Sequence, residues 1–212
     1  MQIAVIAWGS LIWCPGSLQI KSRWHADGPT LPIEFARISG DRRLTLVIHP
    51  GSPQEPTPEQ QTYWALMGES EDIKAARKNL QAREGATYLD DIHSVTTEGQ
   101  TEGKADPDIS ARICKWLNER QNLKAAVWTG LETNWPDKQN GQQFTREGAV
   151  AYLRKLETER DQAKVIYDRA REYISNAPSQ IQTPVRRIMQ VKKGWEDATL
   201  PTILFERTEE GA

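Results

Sequence analysis

Five consecutive apolar residues, Ile3-Ala4-Val5-Ile6-Ala7, run straight into Trp8-Gly9-Ser10-Leu11. A short unbroken apolar run stopped by a glycine reads as a buried strand. Gly9-Ser10 ends that strand in a turn. Glycine adopts backbone angles that other residues avoid and lets a ligand approach the main chain. Successive N–H groups in such a turn can form a concavity for an anion. Taken alone, the stretch is a strand end with a tight turn and a packed Trp.

The rest of the chain changes period partway along. Before residue 70 the pattern is close to two. Leu31 to Ser39 alternates from Ile33 on, Gly40-Asp41 can turn the chain, and Leu44 to Ile48 completes a hairpin. A Pro-rich loop from Pro50 to Pro58 follows, then a strand over Gln61 to Met67. Beyond that point the spacing becomes helical. Ser70 is a candidate N-cap, Ile73, Ala76 and Leu80 share one side, and Gly85 is placed as the C-terminal stop. Tyr88 to Val95 reads as a strand, and Thr96 to Pro107 as a Gly- and charge-rich loop. A helix opened by Pro107 or Asp108 carries Ile109, Ile113, Trp116 and Leu117 on its apolar face. A strand over Leu123 to Thr129 and a long loop from Asn134 to Gln143 come next, and then Thr145 as an N-cap.

From Ala149 to Asn176 there is neither Gly nor Pro, and the apolar spacing predicts one long helix or two joined near Thr158-Glu159. Ala177-Pro178 stops it. Pro184 suits the first position of a last helix, where Arg186 is expected to be exposed. The tail from Thr208 is expected to fray. Strands crowd the first half and helices the second. That order predicts an α+β fold, with a mixed, mostly antiparallel sheet or small β-barrel, flanking helices and a helical C-terminal extension. The 212 residues are an ordinary length for a single domain, divided here into a core over 1–130 and an extension over 131–212.

Composition narrows the function. Net charge is −2, so nucleic-acid binding has no electrostatic footprint. No apolar stretch is long enough to span a bilayer, and the N-terminus lacks the pattern of a signal peptide, which points to the cytoplasm and away from membranes. Cys14 and Cys114 are far apart and, like the three histidines His25, His49 and His93, show no metal-ligand spacing. The fingerprints of nucleophile elbows, dinucleotide sites and phosphate loops are missing. Glu84 stands out, at the junction of a helix end and the next strand. A carboxylate partly desolvated there has its pKa raised toward the range useful for proton transfer. The plain alternative is a solvent-facing Glu paired with Arg83.

Two stretches together resemble the γ-glutamyl cyclotransferase-like superfamily, in its ChaC-like and AIG2-like branch. Trp8-Gly9-Ser10-Leu11, followed by Ile12-Trp13 and Pro15, is similar to that family's Tyr-Gly-Ser signature after the first strand. Leu80, Arg83 and Glu84 are similar to its Leu-x-x-Arg-Glu context, and Phe35 to Ile48 resembles the hairpin between the two motifs. The resemblance covers about residues 1–95.

The resemblance implies a cofactor- and metal-independent enzyme, taking a small γ-glutamyl compound such as glutathione and releasing 5-oxoproline and a free amine or amino acid. Glu84 would be the catalytic acid and base, and Trp8, Gly9, Ser10 and Leu11 would bind substrate. Trp8 departs from the family's Tyr, exchanging a hydroxyl for a single N–H donor. Two other classes stay open: a catalytically inactive ligand-binding or interaction module of the same fold, and an acyltransferase or hydrolase using Ser10 or Cys14.

Overall fold

A computed structural model of the chain describes residues 2–68, 72–158, 162–193 and 205–206. In chain order the elements are β1 (Ile3–Ala7), β2 (Trp24–His25), β3 (Thr30–Ile38), β4 (Leu44–Ile48), β5 (Glu59–Gln61), β6 (Tyr63–Leu66), α1 (Ile73–Glu84), β7 (Ile92–Thr96), β8 (Thr101–Glu102), α2 (Pro107–Asn118), β9 (Ala125–Thr129), α3 (Trp135–Lys138), α4 (Arg146–Thr158), α5 (Gln162–Asn176), α6 (Pro184–Lys193) and β10 (Phe205–Glu206). The fold is α+β. The chain divides into two compact units. One holds residues 1–31, 61–131 and 201–212, and the other holds 32–60 and 132–200. The second unit is therefore more than a C-terminal extension, because residues 32–60 belong to it.

The first unit is built on a seven-stranded mixed sheet in the order β10-β2-β6-β1-β9-β7-β8. Two of its pairings are parallel, β1 with β9 and β10 with β2. The others, β1 with β6, β2 with β6, β7 with β8 and β7 with β9, are antiparallel. The sheet is open, with β10 and β8 at its edges, so the small-barrel alternative does not hold. All five residues of β1 are buried, as an unbroken apolar run at the sheet centre requires. Helices α1 and α2 pack on β7 and β9. Helix α2 buries Ile109, Ile113, Trp116 and Leu117, the face expected from the spacing. Its N-cap is Asp106, whose carboxylate accepts from the Asp108 and Ile109 N–H groups, with Pro107 at the first position.

The second unit holds the three-stranded sheet β4-β3-β5 and helices α3 to α6. The hairpin β3–β4 has the expected antiparallel register, with an irregularity between Phe35 and Arg37. Thr145 accepts from the Gly148 N–H at 3.0 Å and so caps α4. The long helical run is two helices, and the residues between Thr158 and Gln162 lie outside those described, as do Ser70 and the tail from Thr208.

Several expectations are corrected. Arg186 is fully buried instead of exposed. It donates to the carbonyls of Ala177, Pro178 and Ile181 at 2.5, 2.6 and 2.8 Å, and to that of Ser175 at 3.4 Å. A buried guanidinium is tolerable only with acceptors of this kind. Residues Leu89–Asp91 form one 3-10 turn, so the strand expected from Tyr88 starts at Ile92 and Tyr88 is exposed. Strands β2 and β8 and helix α3 arise where loops were expected.

His93 lies inside β7, buried, with its ring edge-on to Trp128 at 5.8 Å. Burial, and to a lesser degree the Arg77 guanidinium, hold its pKa below the ordinary value. Gly130 follows β9 and packs on this ring: a methyl there would lie 2.1 Å from His93 Cε1. Gly130→Ala is expected to destabilise the protein by about 1–3 kcal/mol, the usual cost of overpacking. Gly40→Ala, where an added methyl meets nothing within 4 Å, is the control and leaves the denaturant midpoint unchanged.

Candidate functional site

Strand β1 delivers the chain into a tight loop. Trp8 and Leu11, each 6% exposed, anchor that loop in the core. Within it the Ile12 N–H donates to the Gly9 carbonyl at 3.0 Å and the Cys14 N–H to the Ser10 carbonyl at 2.8 Å. The N–H groups of Gly9, Ser10 and Leu11 make no hydrogen bond among the described residues. These three neighbouring amides stand at the end of a buried strand, where Gly9 and Ser10 are partly exposed and Leu11 is buried. In the parallel pair β1 and β9 the carboxyl ends lie on the same side of the sheet, so the loop after β1 leaves where β9 also ends.

Helix α1 carries the other half. Asp72 is its N-cap, accepting from the Ala75 N–H at 2.7 Å. Gly85 ends it in the left-handed conformation at φ 64°, donating its N–H to the Gln81 carbonyl. One face of α1 is buried through Ala76, Arg77 and Leu80. Asn79 and Arg83, four residues apart, lie on one side of the helix and reach the loop after β1. Asn79 Oδ1 accepts from the Gln19 N–H at 2.8 Å.

Arg83 spreads its guanidinium over four acceptors. It donates to the Cys14 carbonyl at 2.5 Å, the Ser10 hydroxyl oxygen at 3.2 Å, the Pro15 carbonyl at 3.3 Å and Glu84 Oε1 at 2.8 Å. Ser10 Oγ and the Glu84 carboxylate are thus held by two nitrogens of one guanidinium.

Glu84 is not solvent-facing, since its side chain is 17% exposed and that of Arg83 13%. Burial raises the Glu84 pKa above its ordinary value, and the charge and hydrogen bond of Arg83 oppose that rise without cancelling it. The carboxyl therefore keeps a greater affinity for a proton than an exposed Glu while remaining in reach of a cation. A group of that kind can take a proton and return it.

The structure brings Ser10 and Glu84 together through Arg83; Gly9 precedes Ser10 in the loop, and Trp8 and Leu11 are its buried residues. Cys14 is exposed, and it contributes its carbonyl to the Arg83 cluster. The three histidines are each engaged with an aromatic ring: His25 stacks on Trp64 at 4.3 Å, His49 meets Phe144 at 4.8 Å, and His93 meets Trp128. No group of three or more His, Cys, Asp or Glu that could hold a metal ion occurs among the described residues. No described helix is long and apolar enough to cross a membrane. Asn79 is the residue that sequence reasoning passed over, and Arg83 was read only as a partner of Glu84, without its hold on the loop after β1. The signal for Asn79 was its four-residue spacing from Arg83 on one side of α1.

If Arg83 is what limits the rise in the Glu84 pKa, then Arg83→Gln leaves burial unopposed. The Glu84 pKa is expected to be higher in that variant than in the parent protein. A pH titration of the 13C-labelled side-chain carboxyl by NMR measures it, and an unchanged or lower value contradicts the assignment. Comparison with models of protein families, with curated proteins and with solved structures finds no match to this chain, so the site is read from its own geometry.

Proposed function

We propose that the chain is a γ-glutamyl cyclotransferase-type enzyme. The observation that carries this reading is the joint grip of Arg83 on Ser10 and Glu84, which sets a proton-accepting carboxylate beside a loop with free backbone amides. The α-carboxylate of a γ-glutamyl compound suits the Gly9, Ser10 and Leu11 amides. Its α-amine then comes near Glu84. Glu84 takes a proton from that amine, whose nitrogen attacks the γ-carbonyl carbon. A C–N bond forms in the five-membered ring and the original amide C–N bond breaks. The leaving amine receives the proton from Glu84. The products are 5-oxoproline and the free amine or amino acid.

One carboxyl can serve as base and then acid because the two transfers come in sequence. The attack is intramolecular, so holding the substrate folded supplies much of the rate. No step asks for a metal or cofactor. Buried Trp8 and Leu11 would support the substrate loop from below.

A second reading, a ligand-binding or interaction module without catalysis, is favoured by one observation. The Glu84 carboxylate is already bonded to Arg83, the residue whose other bonds tie α1 to the loop. Incubation with a panel of γ-glutamyl compounds, glutathione included, and measurement of 5-oxoproline separates the two. The enzyme reading expects release by the parent chain and loss of release, at least about a hundredfold, in Glu84→Gln with the circular dichroism spectrum unchanged. Its kcat/KM is expected to fall as pH drops through the raised Glu84 pKa, because only the deprotonated carboxylate can accept the proton. Undiminished turnover in Glu84→Gln removes Glu84 from the role.

A further inference from the structure

Asn140 is the one asparagine of the chain that is followed by glycine. The backbone nitrogen after an asparagine can attack the side-chain amide carbon and close a five-membered ring. A side chain on the following residue crowds that closure, and Gly141 has none. Asn140 is exposed, its side chain makes no hydrogen bond among the described residues, and a methyl added to Gly141 meets nothing within 4 Å. The chain's Asp-Gly pair, Asp27-Gly28, is built in the opposite way. The Asp27 carboxylate accepts from Trp64 Nε1 at 2.7 Å and from the Arg120 guanidinium at 2.8 Å, and Gly28 is packed against Thr62.

The same two residues close the end of α3. Asn140 stands at φ 53°, in the left-handed region that a helix C-terminus uses and that asparagine tolerates. The Gly141 N–H then donates to the Pro136 carbonyl at 2.8 Å, and the Gln139 N–H to the Trp135 carbonyl at 2.8 Å. The nitrogen placed to attack Asn140 is therefore the one that caps the helix, and it must leave the Pro136 carbonyl before it reacts. The helix so capped carries Trp135, which is 2% exposed and meets the Phe144 ring at 5.3 Å and the Tyr152 ring at 6.0 Å.

We propose that Asn140 is a site of spontaneous covalent modification, and that its isoaspartyl product releases the cap of α3. The Gly141 nitrogen gives up its proton to solvent and bonds to Asn140 Cγ. The Cγ–Nδ2 bond breaks, and the amide nitrogen takes a proton and leaves as ammonia. Water then opens the succinimide. Cleavage between Cγ and the ring nitrogen gives aspartate in an unchanged backbone. Cleavage between the Asn140 carbonyl carbon and that nitrogen gives isoaspartate, whose backbone runs through Cγ and is one methylene longer. Both products add a negative charge, but the longer backbone of isoaspartate carries the Gly141 N–H away from the Pro136 carbonyl. Water is the one co-reactant. The inference is independent of the γ-glutamyl reading, since the residues of this cap lie in the second unit.

Ageing the full chain at mildly alkaline pH, folded and in guanidinium chloride, tests it. Peptide mass spectrometry and labelling by an isoaspartate methyltransferase locate and count the products. In the folded chain Asn140 is expected to convert before every other asparagine, to yield isoaspartate as well as aspartate, and to leave Asp27 unlabelled. Conversion is expected to be slower in the folded chain than in guanidinium chloride by about tenfold or more, because the cap must open first. Asn140→Gln is expected to lose the label at this site. Asn140→Asp carries the new charge on an unchanged backbone, so the isolated isoaspartyl form is expected to unfold at a lower denaturant concentration than that variant. Conversion of Asn140 no faster than that of the other asparagines overturns the modification site. An isoaspartyl form as stable as Asn140→Asp, or equal rates in the folded and unfolded chains, overturns the link to the α3 cap.

Discussion

The geometry of the candidate site depends on one guanidinium. Arg83 sits in the last turn of α1, where a cation complements the exposed carbonyls of a helix end. From there it takes the Cys14 and Pro15 carbonyls, the Ser10 hydroxyl and the Glu84 carboxylate. Glu84 sits in that same last turn, where a negative charge is unfavourable, and it is also poorly solvated. Two local penalties thus fall on one carboxylate, and its neighbour offsets them only in part, as the direction of its pKa shows. A chain selected for stability alone has little reason to keep an acid there. Local rules broken without an evident structural gain are where function concentrates. The same guanidinium holds the loop after β1 by two of its carbonyls, those of Cys14 and Pro15.

In the second unit buried charge joins elements of the fold. Glu34 of β3 is fully buried, and its carboxylate accepts from the Phe35 N–H at 2.7 Å and from the Val185 N–H at 3.4 Å. Val185 is in the first turn of α6, so the acid meets the positive end of that helix. One residue on, Arg186 reaches back to the carbonyls that end α5 and the loop after it. The first turn of α6 therefore receives an anion at its Val185 amide and sends a cation back to the Ser175 carbonyl of α5 and to the carbonyls of the loop after it. Burial raises the Glu34 pKa, and hydrogen bonds from Thr183 and from the Phe35 and Val185 amides work against that rise.

Much of this was legible in the sequence where an element was long enough to show a period. Strands β1, β3, β4 and β9 and helices α1, α2, α4 and α6 fall within a few residues of the places where apolar spacing and capping residues put them. The two-residue strands β2 and β8 and the four-residue α3 carry no period to read, because neither repeat completes in so short a run. Glu34 occupied a polar position in an alternating strand, which on pattern alone faces water. Only the arrival of α6, far along the chain, makes burial tolerable. Arg186 failed for the same reason, since its acceptors are a tertiary fact. At the site, the Gly9-Ser10 turn and Glu84 were both legible. The bond between Arg83 and Ser10 was not, because it spans 73 positions and depends on where a long side chain lands.

The division into units bears on how the two halves of the site come to lie in one of them. Between the loop after β1 and the helix α1 the chain makes an excursion, residues 32–60, into the other unit. Its two ends are pinned together inside the first unit: the Gly28 N–H donates to the Thr62 carbonyl at 3.0 Å, Thr62 Oγ1 donates to the Pro29 carbonyl at 2.6 Å, and the Gln61 amide donates to the Gly28 carbonyl. Closing a loop costs entropy that grows only slowly with its length, so an excursion of this size adds little once its ends are fastened. The fastening is local to Gly28, Pro29, Gln61 and Thr62, and β6 then pairs directly with β1. The register that delivers Trp8 and Gly9 to the end of the sheet is therefore set by residues 61–67 and not by the hairpin that precedes them.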